Sequence, residues 1–295
     1  MRRSLIVLSL LAALAVPARS TPLADGPLVT PAWLAERLDD PSLVVLHVAS
    51  LRADYDRGHV PGARFLWLND VAPATPAAAA SRTSPRALAA AFARAGVSSG
   101  SRVVVCHVLG DVTGAARVYV ALEHLGLGAR AVILDGGFEA WKAEGRPVAK
   151  DAPPVRRGRI VPRVRDGVLA GIEQVRGASS SGVRLVDTRS ASAFDAPGGS
   201  AAVRGGHIPG AVCLPVAAMI DSLSRYQPAD SLRARFARAG IAPGERLVVY
   251  CGIGRSACPV YVAARMLGHE VRLYDGSFEE WSRREDLPVE IGAKK

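Results

Sequence analysis

The stretch LVVYCGIGRSACPVYVAARMLG, Leu247–Gly268, changes its periodicity at a single cysteine. Leu247 to Tyr250 read as a short buried strand, and Ala257 to Leu267 as a helix with Pro259 in its first turn. Between them lies a loop, Cys251 to Ser256. In an open parallel α/β sheet, ligands collect beyond the carboxyl ends of the strands, and Cys251 is expected at such an end with its thiol exposed. Gly252 and Gly254 let the backbone bend tightly and turn N–H groups inward. The helix start adds a partial positive charge and Arg255 a full one. All three favour a thiolate over a thiol.

Working outward, the chain repeats itself. RGHVPGARFL (Arg57–Leu66) matches GGHIPGAVCL (Gly205–Leu214). FARAGVSSGSRVVVCH (Phe92–His107) matches FARAGIAPGERLVVYC (Phe236–Cys251), and LDGGFEAWKAEGRPV (Leu134–Val148) matches YDGSFEEWSRREDLPV (Tyr274–Val289). The order and near-constant spacing imply two copies of one domain. Each copy reads as a first strand (Leu43–Val48; Val183–Thr188), a Gly-His-x-Pro-Gly turn into a second strand, and an amphipathic helix (Pro85–Ala95; Ser231–Ala239). A third strand (Arg102–Cys106; Arg246–Tyr250) and helix follow (Ala115–Leu125; Ala257–Leu267). A fourth short strand and a tryptophan-bearing helix (Trp141; Trp281) close the copy. Alternating strands and helices predict an α/β fold, each domain a mainly parallel sheet with helices on both faces. The expected boundaries are 24–148 for the first domain, 149–165 for an extended, solvated linker, and 166–295 for the second. Pro73–Pro85 reads as a surface loop.

With 295 residues and 49% of them apolar, the chain can bury two cores. Its net charge of +10 is spread along the sequence with few aromatics nearby. That favours a basic surface attracting small anions over a nucleic-acid face. Arg2 and Arg3 precede an apolar run, Leu5–Val16, and then Pro17, Ala18, Arg19 and Ser20; residues 1–20 read as a secretory signal peptide. Removal would leave about +7, with no membrane anchor. An exported protein is expected, in a bacterium the periplasmic one. Of four cysteines, Cys106 and Cys213 sit in apolar strand-like runs where a buried thiol is the default. Cys258 reads as a packed helix residue that could also serve as a resolving thiol.

The repeat, the Cys-Gly-Ile-Gly-Arg-Ser-Ala loop and the two Asp-Gly-x-Phe-Glu-x-Trp endings together resemble the rhodanese family of sulfurtransferases, in its tandem two-domain form. The resemblance covers nearly all of the chain after the signal segment. It implies two rhodanese-like domains, the second carrying the nucleophile Cys251 and the first catalytically silent. His107 aligns with Cys251, and the segment after it is two residues longer. Cys106, one position early, should point away from the cleft. The resemblance also implies an anionic sulfur donor, a persulfide on Cys251 and a thiol or cyanide acceptor, with no metal or organic cofactor. The amides of Gly252, Ile253, Gly254, Arg255 and Ser256 would stabilise the outer sulfur's charge.

Two departures bear on the donor. Mercaptopyruvate-using members show Cys-Gly-Ser-Gly-Val-Thr, where this chain has Ile253 and Arg255. Thiosulfate-using members carry two basic residues after the cysteine, where this chain has Gly252 and Ile253. A family arginine after Asp-Ser-Arg is replaced by Ala193. Arg255, Arg189 and Arg204 are therefore the candidate donor-binding cations, with an ion pair as the alternative for Arg189. Thiosulfate is the favoured donor. His59, His207, Asp275 and Trp281 read as architectural, His107 as structural, and Ser256 as a helix cap. A phosphatase-type loop, Cys-x5-Arg, is disfavoured because Ala257 stands where its arginine belongs. A non-catalytic sulfur-carrier or binding module remains the third reading. A monomer is expected.

Overall fold

A computed structural model describes residues 23–72, 84–198 and 204–292. Residues 1–20, read above as a signal peptide, and most of Pro73–Pro85 lie outside them. Two five-stranded sheets are present. The first is ordered β1-β5-β4-β2-β3, with β1 Leu28–Val29, β2 Leu43–Ala49, β3 Arg64–Trp67, β4 Arg102–His107 and β5 Ala131–Leu134. The second repeats that order as β6-β10-β9-β7-β8, with β6 Leu169–Ala170, β7 Val183–Asp187, β8 Val212–Cys213, β9 Arg246–Tyr250 and β10 Val271–Tyr274. Every strand pair in both sheets is parallel. The edge strands β1 and β6 are two residues each, too short to leave a hydrophobic period in the sequence.

Alternate residues of the central strands face opposite cores. In β4, Val103 and Val105 join one cluster, while Val104 and Cys106 join another with Phe138 and Trp141. In β9, Leu247 and Val249, with Cys251 directly after the strand, join the first cluster, while Val248 and Tyr250 pack with Phe278 and Trp281. One cluster therefore spans both domains. Its centre is the helix Val112–His124 against the helix Cys258–Met266, buried nearly all round because each is sandwiched between its own sheet and its neighbour. Asp111 caps the first of these helices, its carboxylate accepting from the Gly114 amide.

The linker is extended but not free. Gly158, Arg163 and Arg165 donate amide hydrogens to the Ala93, Leu125 and His124 carbonyls. A side chain at Gly158 would lie 2.0 Å from the Val97 carbonyl oxygen, so only glycine permits this approach. The two Gly-His-x-Pro-Gly turns are pinned the same way: His59 pairs with Ala149 and His207 with Glu290 through backbone bonds. Their rings stack on Tyr55 and Phe194.

Candidate active site

Cys251 follows β9 at its carboxyl end, and its loop runs to a helix that begins at Cys258 with Ala257 in the cap position. Ser256 does not cap that helix; no side chain does. The Gly254 amide donates to Cys251 Sγ at 3.1 Å. Gly254 holds φ +85°, and a Cβ there would sit 2.4 Å from the Asp275 carbonyl oxygen. The turn that aims this amide at the sulfur therefore needs glycine. Among the described residues, the amides of Ile253, Arg255, Ser256 and Ala257 donate to no acceptor. They are unspent donors on the loop that encloses the sulfur.

The helix Ser277–Ser282 holds the cysteine's backbone. Ser277 Oγ accepts from the Cys251 amide at 3.1 Å and donates to the Tyr274 carbonyl at 2.9 Å. The Phe278 and Glu279 amides bind the Cys251 and Gly252 carbonyls, both at 3.0 Å. Ser277 is fully buried at φ +54°, a left-handed conformation that a non-glycine residue adopts at a cost. The first domain has Gly137 in the matching place, at φ +59°. The sequence reading missed Ser277, although the contrast between Asp-Gly-Gly-Phe and Asp-Gly-Ser-Phe was its signal.

The residue Cys251 is only 1% exposed, which corrects the expectation of a thiol open to solvent. Its own loop lies over it, with Ile253 on the outside at 52% exposure. Arg255 reaches across to the first domain. Its Nη2 meets Asp111 Oδ1 at 2.8 Å and Oδ2 at 2.7 Å, and its Nε donates to Thr113 Oγ1 at 3.1 Å. Arg255 therefore closes the loop as well as charging it. Beneath the loop, Arg117 of the first domain binds Asp275 through two bonds, 2.6 and 3.0 Å, with its side chain 7% exposed. Asp111 and Thr113 lie in the stretch between His107 and Ala115 that is two residues longer than its counterpart, and that insertion was their only trace in the sequence; Arg117 lies in the matched helix, aligned with Pro259.

Arg204 is committed elsewhere, whereas Arg189 is held in an ion pair yet still lies within the electrostatic reach of Cys251. Arg189 forms a close pair with Asp187, donates to the Gly206 carbonyl at 2.7 Å, and lies 4.1 Å from the centre of the Phe278 ring. Arg204 donates to the Ser282, Arg284 and Leu287 carbonyls. It braces the C-terminal segment, and the structure does not bring it into the loop.

All four cysteines are free. Burial pushes the Cys258 thiol up to about 12, and Cys258 Sγ donates to the Gly254 carbonyl at 3.3 Å. Burial also raises Cys106, and lifts Cys213 to about 11. Cys213 is only half-buried, because β8 is a two-residue edge strand. In the first domain, His107 occupies the place of Cys251 and is 1% exposed, its ring held by burial down to about 4.

The Rhodanese-like domain model matches this chain twice, over residues 30–144 and 172–284, and the chain belongs to that family. A thiosulfate sulfurtransferase of Corynebacterium glutamicum is 32% identical over 90% of this chain and 90% of its own length. A 3-mercaptopyruvate sulfurtransferase of Escherichia coli is 28% identical over 88% of this chain and 95% of its own. The anaerobic ergothioneine biosynthesis enzyme of Chlorobium limicola shares the fold, with a TM-score of 0.78 over 91% of this chain and 71% of its own at 22% identity.

Proposed function

We propose that this protein transfers sulfane sulfur from a small anionic donor, thiosulfate in preference to mercaptopyruvate, to a thiol or cyanide acceptor. The observation that carries the reading is the Gly254 amide on Cys251 Sγ, in a loop where the amides of Ile253, Arg255 and Ser256 donate to no acceptor among the described residues. The Cys251 thiolate attacks the outer sulfur of thiosulfate. The S–S bond of the donor breaks, and sulfite departs with the electron pair. Cys251 is left as a persulfide, its terminal sulfur bearing the negative charge that the loop amides stabilise. The acceptor then attacks that outer sulfur. The persulfide bond breaks, and the thiolate returns with its electrons. Two half-reactions sharing one covalent intermediate require ping-pong kinetics.

The donor reaches the buried sulfur when the outer rim of the loop, Ile253 and Arg255, gives way. The chain acts as a monomer exported by its N-terminal segment, with no membrane anchor after cleavage. The test is mass spectrometry of Cys251 after incubation with thiosulfate, then with cyanide. A gain of one sulfur atom that cyanide removes as thiocyanate supports the reading. No gain with thiosulfate, mercaptopyruvate or another sulfane donor overturns it. A gain that persists without turnover leaves the sulfur-carrier reading instead.

A further inference from the structure

We propose that the exposed arginine row of the linker is a docking face for an anionic lipid bilayer. In an extended chain, alternate residues face opposite sides. Between the sheets, Gly158, Ile160 and Pro162 turn inward and are part-buried, while Arg157, Arg159, Val161, Arg163 and Arg165 are exposed. The outward face thus reads Arg, Arg, Val, Arg, Arg over at most roughly 28 Å. Arg156 is exposed beside it, as are Val155 at 41% and Val164 at 45%. The row is rigid: the amides of Gly158, Arg159, Val161, Arg163 and Arg165 are all bonded to the first domain. None of these five arginines makes an ion pair among the described residues, where eighteen ion pairs are otherwise formed.

Two grooves flank Gly158. One, of about 630 Å³, is walled by Arg64, Arg156 and Arg157 with three serines. The other, of about 590 Å³, is walled by Arg86, Arg157 and Arg159 with alanines, Ile160 and prolines. Neither lining contains a carboxylate. Acidic residues border the row: Asp151 and Asp166 are exposed in the chain on either side of it, Asp40 is bonded to Ser42 of the first groove, and Arg165 shares a cleft with Asp25 and Glu123. Lipid phosphates match the guanidinium forks. Exposed valines between them gain at a bilayer interface and nothing from a polynucleotide, whose bases call for aromatic platforms this row lacks. Association of this kind is electrostatic, about fivefold per arginine, and screened by salt.

The test is co-sedimentation of the full chain with vesicles of phosphatidylglycerol and phosphatidylethanolamine at low and high salt. Phosphatidylcholine vesicles register binding through the apolar Leu5–Val16 stretch, and because its flanking Arg2, Arg3 and Arg19 are the same in the parent and in the double variant below, the difference between those two chains isolates the linker row. The expected result is salt-sensitive binding to the anionic vesicles alone. Arg157→Gln with Arg159→Gln should lower it about 25-fold and leave thermal stability and sulfur transfer unchanged. Equal binding to both vesicle types overturns the proposal. So does a double variant that binds as tightly as the parent. Capture by heparin or DNA without vesicle binding overturns it too, and assigns the row to a polyanion in solution.

Discussion

Arg255 of the cysteine loop is bonded to Asp111 of the other domain at 2.7 and 2.8 Å. The pair is part-exposed on both sides, 39% and 30%. A surface pair of this kind contributes about 0–1 kcal/mol to stability, so its weight falls on the position of the loop. Arg255→Ala should therefore lower kcat/KM for anionic donors roughly tenfold to a hundredfold while shifting Tm by only a few degrees. Asp111→Asn keeps the charge of Arg255 and releases its anchor. It should cost less in kcat/KM and should speed alkylation of Cys251 by iodoacetamide. Equal losses of rate and stability in Arg255→Ala would count against the latch. So would unchanged alkylation in Asp111→Asn.

Ser277 offers a different separation of fold from chemistry. Gly137 shows that this scaffold accepts glycine at the matching left-handed position. Ser277→Gly should relieve about 1 kcal/mol of backbone strain and remove the hydroxyl that holds the Cys251 amide. Denaturant midpoints should stay level or rise, and persulfide formation in a single turnover should slow. Ser277→Ala keeps the strained Cβ without the oxygen, and should lose both stability and rate. A glycine variant as fast as the parent would reduce Ser277 to a packing role.

Much of this architecture was legible in the sequence because local signals and the repeat pointed the same way. Continuous apolar runs in Arg102–His107 and Arg246–Tyr250, as strands buried on both faces require, and two Gly-His-x-Pro-Gly turns whose last glycines hold positive φ each carry a local physical signal. Residues that act across the domain boundary were not legible. Asp111, Thr113 and Arg117 lie more than 130 positions from the residues they hold, and no local pattern encodes such a distance. Burial of Cys251 escaped for a related reason. A strand end is open in one domain alone, and here the facing domain and the latched loop cover it. The candidate roles of Arg189 and Arg204 were drawn from charge and proximity in sequence. Which carbonyl or carboxylate a guanidinium chooses is decided by packing, which the sequence does not display.

Arg117 and Asp275 test how far the first domain supports the loop. Arg117 is nearly buried, and its partner's backbone carbonyl lies against Gly254. Removing one member of a buried pair leaves the other uncompensated, at a cost of about 3 kcal/mol. Arg117→Met should destabilise by that order in urea titrations and should loosen the loop, giving faster alkylation of Cys251. Combining it with Asp275→Asn should recover part of the loss, because no lone charge remains. A double variant as unstable as the sum of the singles would place the energy in packing instead.

Two buried histidines give the first domain a definite pH response. Burial, with a smaller contribution from the charge of His59, holds His47 down to about 4; burial likewise holds His107 down to about 4. Among the described residues, neither nitrogen of His47 has a hydrogen-bond partner, nor does Nδ1 of His107. Once unfolded, both take up a proton near the ordinary value of about 6.5. Between these values the unfolded chain binds more protons than the folded one, so stability rises with pH. The contribution is complete above about 6.5 and is lost as pH falls toward 4, by up to about 1.4 kcal/mol per pH unit for each histidine. Urea midpoints should therefore drop steeply across that window, ahead of the acid range where Asp111, held low by Thr113 and Arg255 against its own burial, begins to protonate. His47→Phe should flatten the slope by about one proton. A slope that His47→Phe leaves unchanged would show that this ring is not the group being protonated.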